Sequence, residues 1–249
     1  MDEQYWDRMA RDFDGEIFDV YANDRHGVIL ETIARHGSDD RTAADLGCGT
    51  GRLLPELAES FGGVKGYDIS AKCLDIARTR CADLDNVTVA RADLTADRPA
   101  KVDFAVSVNV AIMPSHEARS AVLANSARCL RPGGHLLLVV PSLESELYSQ
   151  FRLLEWNLKE GLPPQQAAAE ETEAFTDPGA SPPTGILCRN GVPTKHYLRE
   201  ELAVTIAAVG LEVVQVGKVE YPWDTAFAAP PSWMREPYPW DWMLLARKG

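Results

Sequence analysis

The feature of this 249-residue chain that most restricts its fold is the segment Ala43-Ala-Asp-Leu-Gly-Cys-Gly-Thr-Gly-Arg52. An apolar run read as a strand, Thr42–Leu46, ends on glycines at 47, 49 and 51, and an amphipathic stretch, Arg52–Ser60, follows. A strand, a glycine turn and a helix in that order bring backbone against a ligand at the carboxyl edge of a sheet. Dinucleotide-binding domains use the related spacing G-x-G-x-x-G. Here the spacing is G-x-G-x-G, with Arg52 and Leu53 where a third glycine would otherwise fall. Asp45 stands two residues before the first glycine. A carboxylate at that point repels a pyrophosphate and suits a ligand carrying an ammonium or sulfonium centre. The plainer alternative is a tight turn with no ligand.

Further along, short apolar runs alternate with helical segments. The strand candidates are Val64–Asp68, Val87–Ala90, Val102–Val108 and Leu136–Val140; amphipathic stretches lie at Ser70–Arg80 and His116–Leu130. Alternation of this kind predicts a parallel sheet with helices on both faces, a doubly wound α/β fold. The runs at 102–110 and 135–140 are apolar almost throughout, as strands covered on both faces must be. Ahead of the core, residues from about Tyr5 to Ala34 carry helical spacing. Behind it, Ser142–Glu160 reads as a helix with Leu143, Leu147, Phe151, Leu154 and Leu158 on one stripe. The Pro-, Ala- and acid-rich stretch after it reads as loop or a mobile flap. A helix near Leu198–Val209 and strands at Leu211–Val216 and Trp242–Ala246 complete the pattern. The connection from 217 to 241 is long and carries Tyr221, Trp223, Phe227, Trp233, Tyr238 and Trp240.

Two further acids extend the scheme. Asp68 closes the second strand, where a carboxylate grips both hydroxyls of a ribose. Asp93 closes the third, within reach of an adenine amino group. Taken singly, each has a helix-cap or surface alternative, but three acids end three consecutive strands.

The order of these motifs resembles the class I S-adenosylmethionine (SAM)-dependent methyltransferases, over roughly residues 40 to 145. The matching features are DLGCGTG at 45–51, YDIS at 67–70, ADL at 92–94, SVNV at 107–110 and LRPGGHLLLVVPS at 130–142. The resemblance implies a Rossmann-like, seven-stranded, mostly parallel sheet with a reversed last strand beside the fifth. It implies a core of 39–141 and 197–249 and an N-terminal helical cap of 1–38; the insertion at 142–196 departs from the resemblance and, leaving the sheet at its carboxyl edge, is expected to form a helix and flap that serve as substrate lid. The resemblance also implies SAM as cofactor and S-adenosylhomocysteine as product. Asp45 with Gly47, Cys48, Gly49 and Gly51 would bind the methionine portion, and Asp68 with Ile69 the ribose. Asp93 with Leu94 would flank the adenine, and Asn109 and Val110 would lie near the sulfonium. Tyr5-Trp-Asp and Phe13-Asp are the candidate contacts of the cap. The N/D-P-P-Y signature of amino methylation on nucleic acid is absent, Asn109-Val-Ala-Ile standing in its place.

Composition narrows the partners. With 25 Lys+Arg against 37 Asp+Glu the net charge is −12, and no basic run is present. This argues against nucleic acid and anionic membrane surfaces as partners and for a small-molecule acceptor. Five cysteines lack CxxC pairing or a neighbouring His at ligand spacing, so no metal is expected, and reduced thiols point to the cytoplasm. The oligomer expected is a monomer or homodimer.

Methyl transfer is an in-line displacement, so positioning dominates and a base is needed only for some nucleophiles. The base or orienting pair with the best sequence position is His196 and Tyr197, set against ordinary packing at a helix start. Trp223, Trp233, Tyr238 and Trp240 offer a cation cage, set against plain loop packing. Other functions that fit the same cofactor site are a SAM-binding sensor or partner protein and a SAM-site enzyme of different chemistry. A nicotinamide dehydrogenase is disfavoured by Asp45 and the glycine spacing.

Overall fold

The computed structural model describes residues 3–10, 18–169, 173–189 and 191–249. Seven strands form one sheet: β1 (Ser38–Leu46), β2 (Phe61–Asp68), β3 (Val87–Arg91), β4 (Val102–Val108), β5 (Leu130–Pro141), β8 (Leu211–Glu220) and β9 (Trp240–Lys248). A separate hairpin pairs β6 (Ile186–Arg189) with β7 (Val192–Lys195). The sheet runs β3-β2-β1-β4-β5-β9-β8, parallel from β3 to β5, with β9 antiparallel to both of its neighbours. The reversal of strand order between β1 and β4 opens a crevice at their carboxyl ends, where open α/β sheets bind ligands.

Period-two alternation sends successive side chains to opposite faces, so each strand feeds two cores. Ala44, Leu46, Ala105, Leu136, Leu138 and Leu244 pack against Val122 and Leu123 of α6 (His116–Cys129) and Leu202 and Ile206 of α10 (Arg199–Ala208). On the other face, Ala43, Phe104, Val106, Leu137 and Leu245 meet α3 (Val28–His36), α4 (Leu54–Ser60) and α5 (Ala71–Arg80) through Ile29, Ile33, Leu54, Leu57 and Leu74.

Of the polar gap at 36–41, residues 38–41 become the exposed first half of β1, beyond the reach of a hydrophobic signal. Within the predicted helical stretch, α1 (Glu3–Met9), α2 (Val20–Asn23) and α3 are described; Phe13 and Asp14 lie outside the described residues. The predicted flap holds the single-turn helices α8 (Pro164–Ala167) and α9 (Glu173–Thr176) and the β6–β7 hairpin. It is therefore not a plain loop: Ile186, Leu187 and Cys188 are buried in a strand too short to display a period.

Helix α7 (Leu143–Lys159) forms where its spacing predicted, with Ser142 accepting a hydrogen bond from Ser145 N as the N-cap. Its orientation is the reverse of an ordinary amphipathic helix. Ser145, Ser149, Leu153 and Asn157 are buried, while Leu147, Phe151 and Leu158 are 53%, 59% and 45% exposed. The inner face is set by close approach to β9, where Ser145 Oγ accepts from Trp240 N at 2.7 Å. Among the described residues, no helix is long and apolar enough to cross a membrane.

Candidate functional site

The glycine turn is pinned to the neighbouring strand by backbone alone. Gly47 N and Cys48 N both donate to Tyr67 O, at 2.7 and 2.9 Å. Gly47 has φ +84°, and a Cβ there would sit 2.3 Å from Val110 Cγ2. This turn and the β4 loop thus touch only because position 47 has no side chain. Gly51 serves a packing role instead. A Cβ there would meet Ala77 Cβ at 2.9 Å, so it lets the turn pack on α5 and does not line the cavity below.

The two acids nearest the turn differ sharply in how they are held. Asp68 accepts from Gly49 N and Ser70 N, both at 2.8 Å, one on each carboxylate oxygen. Burial raises its pKa, and those backbone donors oppose the rise. Asp45 is 3% exposed, and no salt bridge among the described residues reaches it. Desolvation, reinforced by the Asp68 charge, lifts its pKa to about 7. A buried carboxylate in that state gains most from a cation arriving beside it. Asp93 spends one oxygen on its own turn, accepting from Thr95 N and Thr95 Oγ1 at 2.9 and 2.7 Å.

These groups surround one cavity of ≈ 560 Å³. Asp45, Gly47, Cys48, Gly49, Asp68, Ile69, Asp93, Leu94, Asn109 and Val110 all line it, so the structure brings together every predicted binding residue except Gly51. Sequence reasoning missed Phe18, Tyr21, Arg52, Ile112, Met113, Val192 and Thr194, which line it too. Phe18 and Tyr21 sit in a segment with no motif, and Val192 and Thr194 reach the cavity only because Lys195 N bonds Ile112 O at 2.8 Å. Tyr5 and Trp6 of α1 line the cavity as expected. Asp7 fastens that helix to the β2 end, accepting from Ser70 Oγ at 2.6 Å, which lowers the Asp7 pKa.

Asn109 has φ +54°, unusual for a residue other than glycine. Its backbone N–H donates to Val139 O at 2.9 Å. Asp241 accepts from Tyr221 Oη at 2.9 Å, and the Asn109 side chain, with Tyr221, works to lower its pKa. Burial pushes Asp241 up to about 6.

Neither His196 nor Tyr197 lines the cavity. Tyr197 is buried and its hydroxyl donates to Ala111 O, fixing the loop after β4; burial drives its pKa up. His196 is half-buried, its Nδ1 3.1 Å from Thr194 O, with its pKa lowered by burial. The geometry gives this pair a supporting place behind the hairpin and the β4 loop.

The aromatic set is likewise off the cavity. Trp223 stacks on Phe227 at 5.6 Å, and with Leu153 and Met234 they form a small core under α7. Cations of the chain already cover its rings. Lys218 lies 3.4 Å from the Trp240 centroid, Lys159 3.5 Å from Trp233 and Arg25 3.7 Å from Tyr238. Packing, and not a ligand cage, accounts for these residues.

A seven-stranded sheet of this order, with a glycine turn after β1 and acids ending β1 and β2, is the Rossmann-like fold of solved SAM-dependent methyltransferases. Residues 43–134 match a family described as a methyltransferase domain. Over 82 residues the chain is 38% identical to a dTDP-3-amino-3,6-dideoxy-α-D-glucopyranose N,N-dimethyltransferase of Streptomyces fradiae, covering 29% of this chain and 32% of that one. It is 33% identical to a demethylmenaquinone methyltransferase of Tropheryma whipplei, covering 38% and 39%. The chain spans between 32% and 59% of the length of the curated relatives it matches. Among solved structures it resembles magnesium protoporphyrin IX methyltransferase of Synechocystis with bound S-adenosylhomocysteine, with TM-score 0.63, 16% identity and coverage of 99% and 98%. An N-methyltransferase of Bradyrhizobium japonicum gives TM-score 0.62, 13% identity and coverage of 99% and 97%.

Proposed function

We propose that the protein transfers a methyl group from SAM to a small-molecule acceptor, with S-adenosylhomocysteine as the second product. The observation that carries this reading is the convergence of Asp45, Asp68 and Asp93 on one cavity beside a glycine turn. The fit to the cofactor rests on Asp45, a buried carboxylate near neutrality with no salt-bridge partner among the described residues.

In this reading Asp45 and the turn at 47–49 hold the amino-acid portion, Asp68 the ribose, and Ile69, Asp93 and Leu94 the adenine. Asn109 and Val110 border the reacting centre. Bound SAM supplies a sulfonium-linked methyl group for in-line displacement. The chain's contribution is to orient the acceptor and exclude water with the residues that line the cavity, Tyr5, Trp6, Val192 and Thr194 among them. His196 and Tyr197 then act as supports for the loops around the acceptor.

A small acceptor is favoured by the largely apolar wall of Phe18, Val20, Ile112, Met113 and Val192. The sugar nucleotide and demethylmenaquinone in the relatives' names agree with it. The five free, buried cysteines agree with a cytoplasmic protein. The test is incubation with SAM and a panel of amines, phenols and quinols, with S-adenosylhomocysteine and methylated product read by mass spectrometry. Acceptor-dependent formation of both is expected. SAM binding with no product from any acceptor would favour a sensor.

A further inference from the structure

Helix α7 turns a mostly polar side inward and an apolar side outward. The outward residues Leu147, Phe151, Leu154 and Leu158 recur at spacings of four, three and four, which is the seam of a coiled coil. Leu147, Phe151 and Leu158 are exposed, and Leu154 between them is half-buried. Large apolar side chains gathered on the solvent side of a helix mark a surface that takes a partner. Charge is also unevenly placed along one flank of this seam. Glu144, in the first turn, accepts from Arg199 N at 2.9 Å and Trp242 Nε1 at 3.0 Å, neither of which brings a cation. Lys159 lies on the same flank in the last turn.

We propose that α7 pairs with α7 of a second copy of this chain, antiparallel, about a two-fold axis that passes between residues 152 and 153. In that register Leu147 meets Leu158 of the partner subunit and Phe151 meets the partner's Leu154. Each contact then occurs twice, as a two-fold interface requires. The same alignment lays Glu144 beside the partner's Lys159 and opposes the two helix dipoles. A parallel pair would instead set Glu144 against its own copy and Lys159 against its own copy, which like charge disfavours. A membrane surface fits less well. Helices that lie on lipid are rich in Lys and Arg on the polar face, whereas α7 carries Arg152 and Lys159 against Glu144, Glu146 and Glu155, in a chain of net charge −12. This pairing does not depend on the cofactor reading.

Sedimentation velocity over a concentration series reaching about 500 µM tests the pairing. A seam of three turns is smaller than a standard interface of roughly 800 Å² per partner, so a dissociation constant on the order of tens of micromolar is expected. Phe151→Glu changes an exposed side chain; it should leave Tm unchanged and weaken dimerisation at least tenfold. Orientation is read by cross-linking. Positions 147 and 158 are about 16 Å apart within one helix, beyond a short bismaleimide, and the native thiols are all buried. The double variant Leu147→Cys/Leu158→Cys should therefore give a covalent dimer joining 147 of one copy to 158 of the other, while Leu147→Cys alone should not. A wild-type protein that stays monomeric throughout, or a dimer indifferent to Phe151→Glu, would overturn the proposal. A 147-to-147 cross-link would overturn the antiparallel register. Flotation of monomeric protein with phosphatidylcholine vesicles, lost in Phe151→Glu, would assign the face to lipid instead.

Discussion

The carboxyl edge of the sheet has two halves that treat charge in opposite ways. Around the ends of β1 and β2 lie two acids without salt bridges among the described residues: Asp45, buried, has been lifted to about 7, and Asp68, half-buried, is held by backbone N–H groups. Around the β8–β9 connection and α7, cations lie over aromatic rings, and Trp223, Phe227, Leu153 and Met234 close into a core. In the proposed reading the first half offers its charge to a ligand, whereas the second sets its cations over its own rings. Burial alone does not distinguish them, since both Asp45 and Trp223 are buried. The presence or absence of a partner does.

If that division is right, a change in one half should leave the other's property intact. The largest effect is expected on the closed half: Trp223→Ala removes a buried ring whose Nε1 donates to Arg235 O at 3.0 Å. It should cost about 3–5 kcal/mol of stability in denaturant unfolding, while S-adenosylhomocysteine affinity stays within twofold. A tenfold loss of affinity would make the aromatic half part of the site.

Asp68→Ala attacks the open half and should weaken S-adenosylhomocysteine more than tenfold, more than about 1.4 kcal/mol. An unchanged dissociation constant would remove it from the ribose role.

The pH dependence sharpens the contrast. Asp45 pairs with a ligand ammonium only when ionised, so affinity should fall as pH drops below about 7, by up to about tenfold per unit. In the ligand-free protein the same raised pKa means the folded state binds more protons than the unfolded one between the ordinary carboxylate range and about 7. Its stability contribution therefore falls as pH rises through that window. Asp45→Asn should accordingly raise Tm more at pH 8 than at pH 4, while abolishing the acid-side loss of affinity. An Asp45→Asn variant less stable at pH 8 would contradict the uncancelled-charge account.

The smallest effect belongs to Lys218→Ala, over the Trp240 ring. A partly exposed cation–aromatic contact of this kind contributes about 0.5–1 kcal/mol, so Tm should fall slightly with ligand affinity unchanged.

Legibility in the sequence divided along similar lines. The glycine turn, Asp45, Asp68 and Asp93 were readable because backbone geometry and charge act over a few residues at strand ends. The parallel core was readable because both faces of β4 and β5 are covered, leaving nearly unbroken apolar runs. Phe18, Tyr21, Val192 and Thr194 were not readable, because they reach the cavity through contacts between distant segments and carry no local pattern. His196 and Tyr197 drew attention as chemically capable side chains beside a helix start, yet Tyr197 spends its hydroxyl on the Ala111 carbonyl. The stripe on α7 formed a helix as its spacing required, but which face turned inward was decided by Ser145 against Trp240 N.

The central claim, that the open half binds an adenosyl amino acid, is tested most directly by isothermal titration of the wild-type protein. SAM, S-adenosylhomocysteine and NAD would be compared at about pH 7.5, above the raised pKa of Asp45. Micromolar binding of both adenosyl ligands with none of NAD is the predicted result. Binding of NAD in preference to them, or of none of the three, would contradict it.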